Sequence, residues 1–482
     1  MTPRTARLAL LAALILGVLA DYFLRADSLR AGFTVWLLLA LAVASFVTGQ
    51  DDAGDVAAVG ERRLLFGASG VIALLLVFRD AETLFAVDLF ALAVTFWLIA
   101  WRAHGRALAA LEPRDAIIGV ASAVGAAVGG GPTLALRDAS PRPLEESERR
   151  SMRGFGVGVI AAIPVLLFVT ALLGSADPVF AGFVDATAEF LDTAFFGHVF
   201  LIGAATWVSA GALRGAVAPV GVGAALLRRQ VQLPFAGFLP LLGGLALLLS
   251  AWIGLQVRTL FGGAEYVAQT AGITVAEYAR NGFFELIVIS GLVLAALLVA
   301  DDVVDRADAS GRSSFRRLGT VLIVLVGAVL TSAVLRLSLY LRYYGLTDER
   351  VLALAVLIWV AAVLGWFAWT VLRDAREGFA PGVLVISAAW LVALNVANPE
   401  RLVVSTNLAR AERGLEFDVA YHAKLSADAL PALLDGADRL PADQALVLRE
   451  ALDAKWRARV ESGVDWREWS LPLRRALRLM QQ

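Results

Sequence analysis

The chain has no cysteine, three histidines and two lysines, and only 18% of its residues are charged. Without cysteine there is no disulfide, no thiolate nucleophile and no cysteine-ligated zinc or iron–sulfur cluster. His104, His198 and His422 are scattered, so neither a histidine-built metal centre nor any cofactor is expected. A net charge of −1 leaves no basic surplus for nucleic acid. Soluble domains carry about 25% charged residues, so the charge content itself argues against a globular chain. Apart from Lys424 and Lys455 the basic residues are all arginine. With the abundance of alanine, leucine, valine and glycine, this reads as the coding bias of a GC-rich bacterial genome.

What fills the space is apolar: 59% of 482 residues, with a mean hydropathy of +0.73. The apolar residues lie in runs long enough to cross about 30 Å of hydrocarbon as helix. Eleven such runs occur, at 8–24, 31–48, 64–78, 83–101, 155–173, 194–213, 238–257, 282–300, 318–341, 351–372 and 381–397. The expected fold is all-α, a polytopic transmembrane bundle of about eleven spans in a lipid bilayer, with a small helical C-terminal tail. Four regions follow: a four-helix membrane segment (1–101), an arginine-rich cytoplasmic stretch (102–154), a seven-span core (155–397) and the tail (398–482). The first run follows Arg4 and Arg7, and Val18-Leu19-Ala20 loosely resembles a signal-peptidase site; a retained helix is the preferred reading.

A twelfth candidate, 116–136, is rich in alanine and glycine and ends in Gly129-Gly130-Gly131-Pro132. The positive-inside rule arbitrates. If 116–136 does not cross, segments on the cytoplasmic side hold 21 arginines and outer loops hold 7; if it crosses, the bias reverses to 11 against 17. The first threading is therefore expected, with a cytoplasmic N-terminus, 116–136 re-entrant or interfacial, and the tail outside. The loop 174–193, with four acidic residues and no basic one, fits the outer side.

The tail balances 13 basic against 13 acidic residues and carries several helix starts. Pro399-Glu400 opens a helix that Gly414 closes, Ser426 and Asp428 begin another, and Pro441-Ala442-Asp443 a third. Ser470-Leu471-Pro472 starts an amphipathic helix with Arg474, Arg475 and Arg478 opposite Leu473, Leu477 and Met480. Trp466 and Trp469 before it suit a membrane interface. The preferred reading is a compact helical cap on the membrane domain.

Three motifs carry little. Gly156-Val-Gly158-Val-Ile-Ala161 fits a dinucleotide pattern, but no strand precedes it, and close helix packing accounts for it better. The Gly129–Pro132 run lacks the lysine and hydroxyl residue of a phosphate loop. Asp301, Asp302, Asp305 and Asp308 lack calcium-loop spacing and read as a solvated turn.

Ionisable residues at membrane depth carry more, because each is costly unless it faces protein or water. Asp88 sits on the outer half of its span, His198 near the outer start of another, and Arg336 about a turn from an outer end. Gln256, Glu285 and Asn395 lie toward outer ends as well. All seven tyrosines fall at or beyond the outer interface in this threading. Glu277, Asn281 and Glu285 repeat at helical spacing with Arg280 one turn from Glu277, while Arg336, Tyr340, Tyr343 and Tyr344 share another face. An ion pair from Arg336 to Glu285 or Glu277 is expected to offset its insertion cost. The candidate outer cluster is thus Asp177, Glu277, Tyr278, Arg280, Asn281, Glu285, Arg336, Tyr340 and Tyr344, with Asp88 and His198 as intramembrane polar residues.

Several of these stretches resemble one family. Leu260-Phe261-Gly262-Gly263, the run Glu277 to Leu286 (EYARNGFFEL), Ser175-Ala176-Asp177-Pro178-Val179-Phe180 and Arg336-Leu337-Ser338-Leu339-Tyr340 are similar to an uncharacterised bacterial multipass family. Tyr344-Gly345-Leu346-Thr347, Asn398-Pro399-Glu400-Arg401 and Asn407-Leu408-Ala409-Arg410 extend the likeness over about residues 155–435. That family is a domain of unknown function of the 4173-like type, related to the 4153-like type. The sequence departs from its pattern at Asn281, Thr259, Val275 and His422. The resemblance implies a polytopic fold with a helical tail in a bacterial inner membrane, and no activity or substrate.

Three functions remain open. The preferred one is a non-enzymatic envelope sensor, scaffold or regulator whose outer face and tail bind an envelope protein or lipid. The second is a transporter or channel-like protein with Asp88, Glu277, Glu285 and Arg336 lining an outer vestibule. The third is a membrane enzyme acting on a lipid-linked substrate.

Overall fold

The computed structural model describes residues 1–26, 28–49, 56–102, 108, 111, 126, 129–139, 194–217, 234–261, 283–304 and 309–481. The architecture is all-α. Among the described residues, ten long helices belong to the bundle: α1 (Pro3–Phe23), α2 (Ala31–Gly49), α3 (Val56–Phe78), α4 (Glu82–Arg102), α5 (Ala194–Val217), α6 (Leu239–Phe261), α7 (Phe283–Val303), α8 (Ala309–Tyr344), α9 (Asp348–Thr370) and α10 (Phe379–Ala397). Five helices follow in the tail: α11 (Pro399–Ala411), α12 (Val419–Lys424), α13 (Leu430–Gly436), α14 (Ala442–Ser462) and α15 (Leu471–Leu479).

Among the described residues, seven helical stretches are long and apolar enough to cross a membrane: those of α1, α2, α4, α5, α8, α9 and α10. The helices α3, α6 and α7 are further apolar members of the bundle. Between 17% and 39% of each spanning window is buried, so most of its apolar surface faces outward. Phe90, Phe200, Val324, Ile358 and Val385 are exposed on it. Such a surface is stable in lipid and would aggregate in water. The bundle is a membrane protein's. The eleventh apolar run, 155–173, and the glycine motif at Gly156–Ala161 lie outside the described residues.

Contacts at the helix ends fix two faces of the bundle. At one end Arg62 donates to the Thr48 carbonyl and Arg102 pairs with Glu61 at 2.7 Å, joining α2, α3 and α4. Arg214 of α5 pairs with Asp138 at 2.8 Å, and Arg7 of α1 donates to the Ala139 carbonyl. Asp301 and Asp302 closing α7, Arg312 and Arg316 opening α8, and Asp374 and Arg376 between α9 and α10 form one ionic network. Asp301 is buried there, not solvated as the sequence suggests, because Arg312 and Arg376 converge on it at 3.5 and 3.1 Å.

The tail covers the other end. Its core joins Val403, Leu408, Leu430, Leu433, Leu448, Trp456 and Leu473 to Leu346 and Val351 of the bundle. Tail and bundle thus share one apolar core at that end. Part of the 116–136 run is described: Gly130 lies so close to α5 that a Cβ there would sit 2.8 Å from the Gly211 Cα. Only a backbone without side chains on both partners allows that approach.

Candidate functional site

The tail is built by local capping before it meets the bundle. Asn398 (φ 53°) ends α10 in the left-handed region and caps α11, its side chain accepting the Arg401 N–H at 3.1 Å; Pro399 follows at the first helical position, where its missing N–H costs nothing. Gly414 (φ 83°) turns the chain out of α11. Asp418 caps α12 through the Tyr421 N–H, and Lys455 of α14 donates to the carbonyls of Ala423, Lys424 and Leu425 at its other end. Burial lowers the Lys455 ammonium below its ordinary range. Ser470 caps α15 at the Leu473 N–H.

These caps deliver a set of buried polar groups to the turn between α3 and α4. Asp428 is buried. Its carboxylate accepts from Arg79 Nη1 at 3.1 Å, from the Asp80 N–H, and from the Ala81 N–H at 3.1 Å. Arg79 completes its fork on the C-terminal carbonyls of α10, donating to Asn395 at 2.7 Å and Val396 at 3.3 Å. Asp80 accepts from the Ser470 hydroxyl at 2.9 Å and from the Ala427 N–H at 3.2 Å, and Arg30 lies 3.7 Å away. One arginine and one aspartate of a three-residue turn therefore hold α10, the α12–α13 turn and α15 together.

Behind this lock lies a second buried carboxylate. Glu400 accepts from the Ser426 N–H at 3.0 Å and the Ser426 hydroxyl at 2.6 Å. Burial lifts its carboxyl to about 7, opposed by the Ser426 hydrogen bonds and reinforced by Asp428 and Asp348. Burial likewise raises Asp428, against the Asp80 amide and the Arg79 guanidinium.

A third contact joins the tail to the α8–α9 turn. Asn407 accepts the Leu346 N–H at 2.8 Å and donates to the Leu346 carbonyl at 2.7 Å, and its amide also meets His422 Nε2 at 3.0 Å. His422 Nδ1 is 2.6 Å from the Asp418 carbonyl, so it carries the proton and Nε2 accepts. Burial holds His422 below its ordinary range, and its ring stacks on Phe417 at 4.0 Å. The Tyr421 hydroxyl donates to Asp348 Oδ1 at 2.9 Å, and burial raises it. Arg410 donates to the Leu341 carbonyl at 2.7 Å and Arg467 to the Tyr22 carbonyl at 2.6 Å, adding α8 and α1 to the joined ends.

Asp88, Asn395, His198 and Arg336, singled out by sequence, each have a partner near this end. Asp88 Oδ1 accepts from Asn395 Nδ2 at 3.0 Å, both fully buried. His198 meets Asp21 through Nδ1, and Arg25 lies 3.2 Å from that carboxylate and 3.3 Å from His198 Nε2. Arg336 is buried with its guanidinium 5.8 Å from the Trp252 ring. The Tyr340 and Tyr344 rings lie 4.8 Å apart, tilted at 41°, and Arg350 sits 4.4 Å over Tyr340. Glu285 is exposed in the first turn of α7. Asp177, Glu277, Tyr278, Arg280 and Asn281 lie outside the described residues. Arg79, Asp80, Asp428, Glu400 and Asn407, which hold the end together, are absent from the sequence-derived cluster. The motifs Asn398-Pro399-Glu400-Arg401 and Asn407-Leu408-Ala409-Arg410 signalled Glu400 and Asn407, and Asp428 stood out only as a helix start.

A family model described as a domain of unknown function (DUF4153) matches residues 66–436. The chain belongs to that family. The DUF4153 span takes in α4 to α13, including both Arg79 and Asp428, while Arg30 and Ser470 fall outside it. The match is to the 4153 type and does not extend to the 4173-like detail. No curated protein and no solved structure matches the chain.

Proposed function

We propose that this DUF4153 chain is a non-enzymatic scaffold or sensor of the cell envelope, whose tail is a recognition platform held rigidly on the outer end of a membrane bundle. The observation that carries the reading is the Arg79–Asp428 lock: its charges are spent on joining tail to bundle, so the two move as one body. A rigid support is what a recognition surface needs. On the tail, α14 displays Leu446 and Val447, both more than half exposed. The arginine count favours an outer tail, since the loops at that end are the arginine-poor set. Arg102 at the end of α4 and His198 near the start of α5 lie at opposite ends of the bundle. That parity supports the threading in which only one of the two intervening apolar runs crosses.

Site-specific photocross-linking from positions 446 and 447 in intact cells tests the reading. Discrete cross-linked products that disappear in Asp428→Ala are expected. Their absence, together with solute or ion flux in proteoliposomes that depends on Asp88, would instead establish the transport reading, which draws on the buried Asp88–Asn395 pair.

A further inference from the structure

The last helix carries a feature the docking of the tail does not use. Leu473 and Ala476 of α15 are buried in the tail core beside buried Pro472, and the Ser470 hydroxyl ties the helix start to Asp80. The opposite face presents Arg474, Arg475 and Arg478, all exposed. Every other arginine from 457 to 467 pairs with a carboxylate at 2.8 Å or closer, yet these three make no ion pair among the described residues. The tail holds 13 basic and 13 acidic residues, so outside this face it is acidic, with 10 against 13. Positive charge is therefore segregated onto one helix face.

That face stands at the edge of the bilayer. The helix packs against α3, whose Phe78 side chain is exposed at its end and whose Val71 and Leu74 are exposed further along. The segment just before it rests on α1: the Trp466 ring lies 5.9 Å from Phe23 and 6.4 Å from Tyr22, and both Trp466 and Tyr22 are about half exposed. Exposed tryptophan and tyrosine beside an apolar lipid-facing surface mark the height of the headgroups. An unpaired guanidinium at that height has one abundant complement, the phosphate oxygen, which it can bind with two parallel hydrogen bonds.

We propose that Arg474, Arg475 and Arg478 bind the phosphate headgroups of anionic phospholipids in the leaflet adjoining the tail. The inference deepens the platform reading by naming a partner, an anionic lipid surface. It also explains why the charges are spaced over one exposed face of α15 and not scattered over the tail.

The test is hydrogen exchange of residues 471–481 in the full chain, reconstituted in discs of phosphatidylcholine alone or mixed with phosphatidylglycerol. Exchange should slow about tenfold with phosphatidylglycerol, given the attraction of basic side chains to an anionic surface. High salt and the triple substitution R474Q/R475Q/R478Q should abolish the slowing, and the triple arginine-to-lysine variant, which keeps the charge without the bidentate fork, should keep only part of it. Unchanged exchange of α14 in each variant verifies that the tail remains folded. Equal exchange in both discs, slowing that survives R474Q/R475Q/R478Q, or slowing by inorganic phosphate in phosphatidylcholine discs would overturn the proposal. The readout needs neither a protein partner nor a known orientation, so its failure is separable from that of the platform reading.

Discussion

Replacing Asp428 with alanine removes the acceptor of the Arg79 guanidinium and of two backbone N–H groups in one step. Arg79 would keep its bonds to the Asn395 and Val396 carbonyls, but its charge would remain largely enclosed, at 17% side-chain exposure, without a counter-ion. Breaking a buried pair from one side costs about 3–5 kcal/mol, most of it from the charge left behind. The undocking equilibrium of the tail should then shift by roughly two to three and a half orders of magnitude. The Asp428→Asn variant keeps the shape and one acceptor and should lose about 1.5–3 kcal/mol. Adding Arg79→Met to Asp428→Ala removes the orphaned charge and should restore part of the loss, giving a coupling of about 1–3 kcal/mol in a double-mutant cycle. The assay is hydrogen exchange of α12 and α13 in the detergent-solubilised full chain, with α9 as internal reference. A change below about 0.5 kcal/mol in Asp428→Ala, the level of an ordinary surface substitution, would refute the reasoning.

The remaining predictions concern pH and close packing. Glu400 titrates at about 7 in the docked tail against an ordinary 4.5, so the docked form holds a proton that the undocked form releases between those values. Docking should therefore weaken as pH rises from about 4.5 to about 7, approaching about 3 kcal/mol, and Glu400→Gln should flatten that slope in tail exchange measured against pH. His422, lowered by burial, has the opposite sign: docking should weaken as pH falls below about 6.5, and His422→Gln should remove that limb. Gly130→Val places a side chain 2.8 Å or less from the α5 backbone and should cost about 1–3 kcal/mol in thermal unfolding. Gly345→Ala meets both a φ of 75° and the Asn407 side chain at 2.7 Å, and should loosen the α8–α9 turn in hydrogen exchange.

Much of the membrane architecture is legible in hydropathy because burial in lipid needs only apolar length. The limits lie where polar residues extend a helix. The run at 318–341 underestimates α8, whose 36 residues begin at Ala309 with Ser313, Ser314, Arg316 and Arg317 on its first turns. At 1.5 Å per residue α8 spans about 54 Å, well beyond the hydrocarbon, so hydropathy sees only its middle. In the tail, caps announced α11 and α15 through Pro399 and Ser470. The six-residue α12 is too short to announce itself, and its last carbonyls depend on Lys455 from another helix.

The site was less legible, for a physical reason. Depth in the membrane marks a polar residue by its cost, so Asp88 and Asn395 stood out individually, although their pairing across 307 positions did not. Arg79 and Asp428 are 349 positions apart, and each sits in a polar turn where a charge ordinarily faces water. Nothing local distinguishes a solvated turn from one on which a second layer docks. Asp301 was misread for the same reason: its burial is created by Arg312 and Arg376, which sequence places in separate loops.

The absence of cysteine makes the placement of the tail directly measurable, because a single introduced thiol is the only target for labelling. Leu446→Cys reports the exposed face of α14, and Ser313→Cys reports the start of α8 at the opposite end of the bundle. With a membrane-impermeant maleimide on intact spheroplasts, Leu446→Cys should label at once and Ser313→Cys only after permeabilisation. Labelling of Ser313→Cys alone in intact spheroplasts would put the tail on the cytoplasmic side and contradict the account of an outer platform.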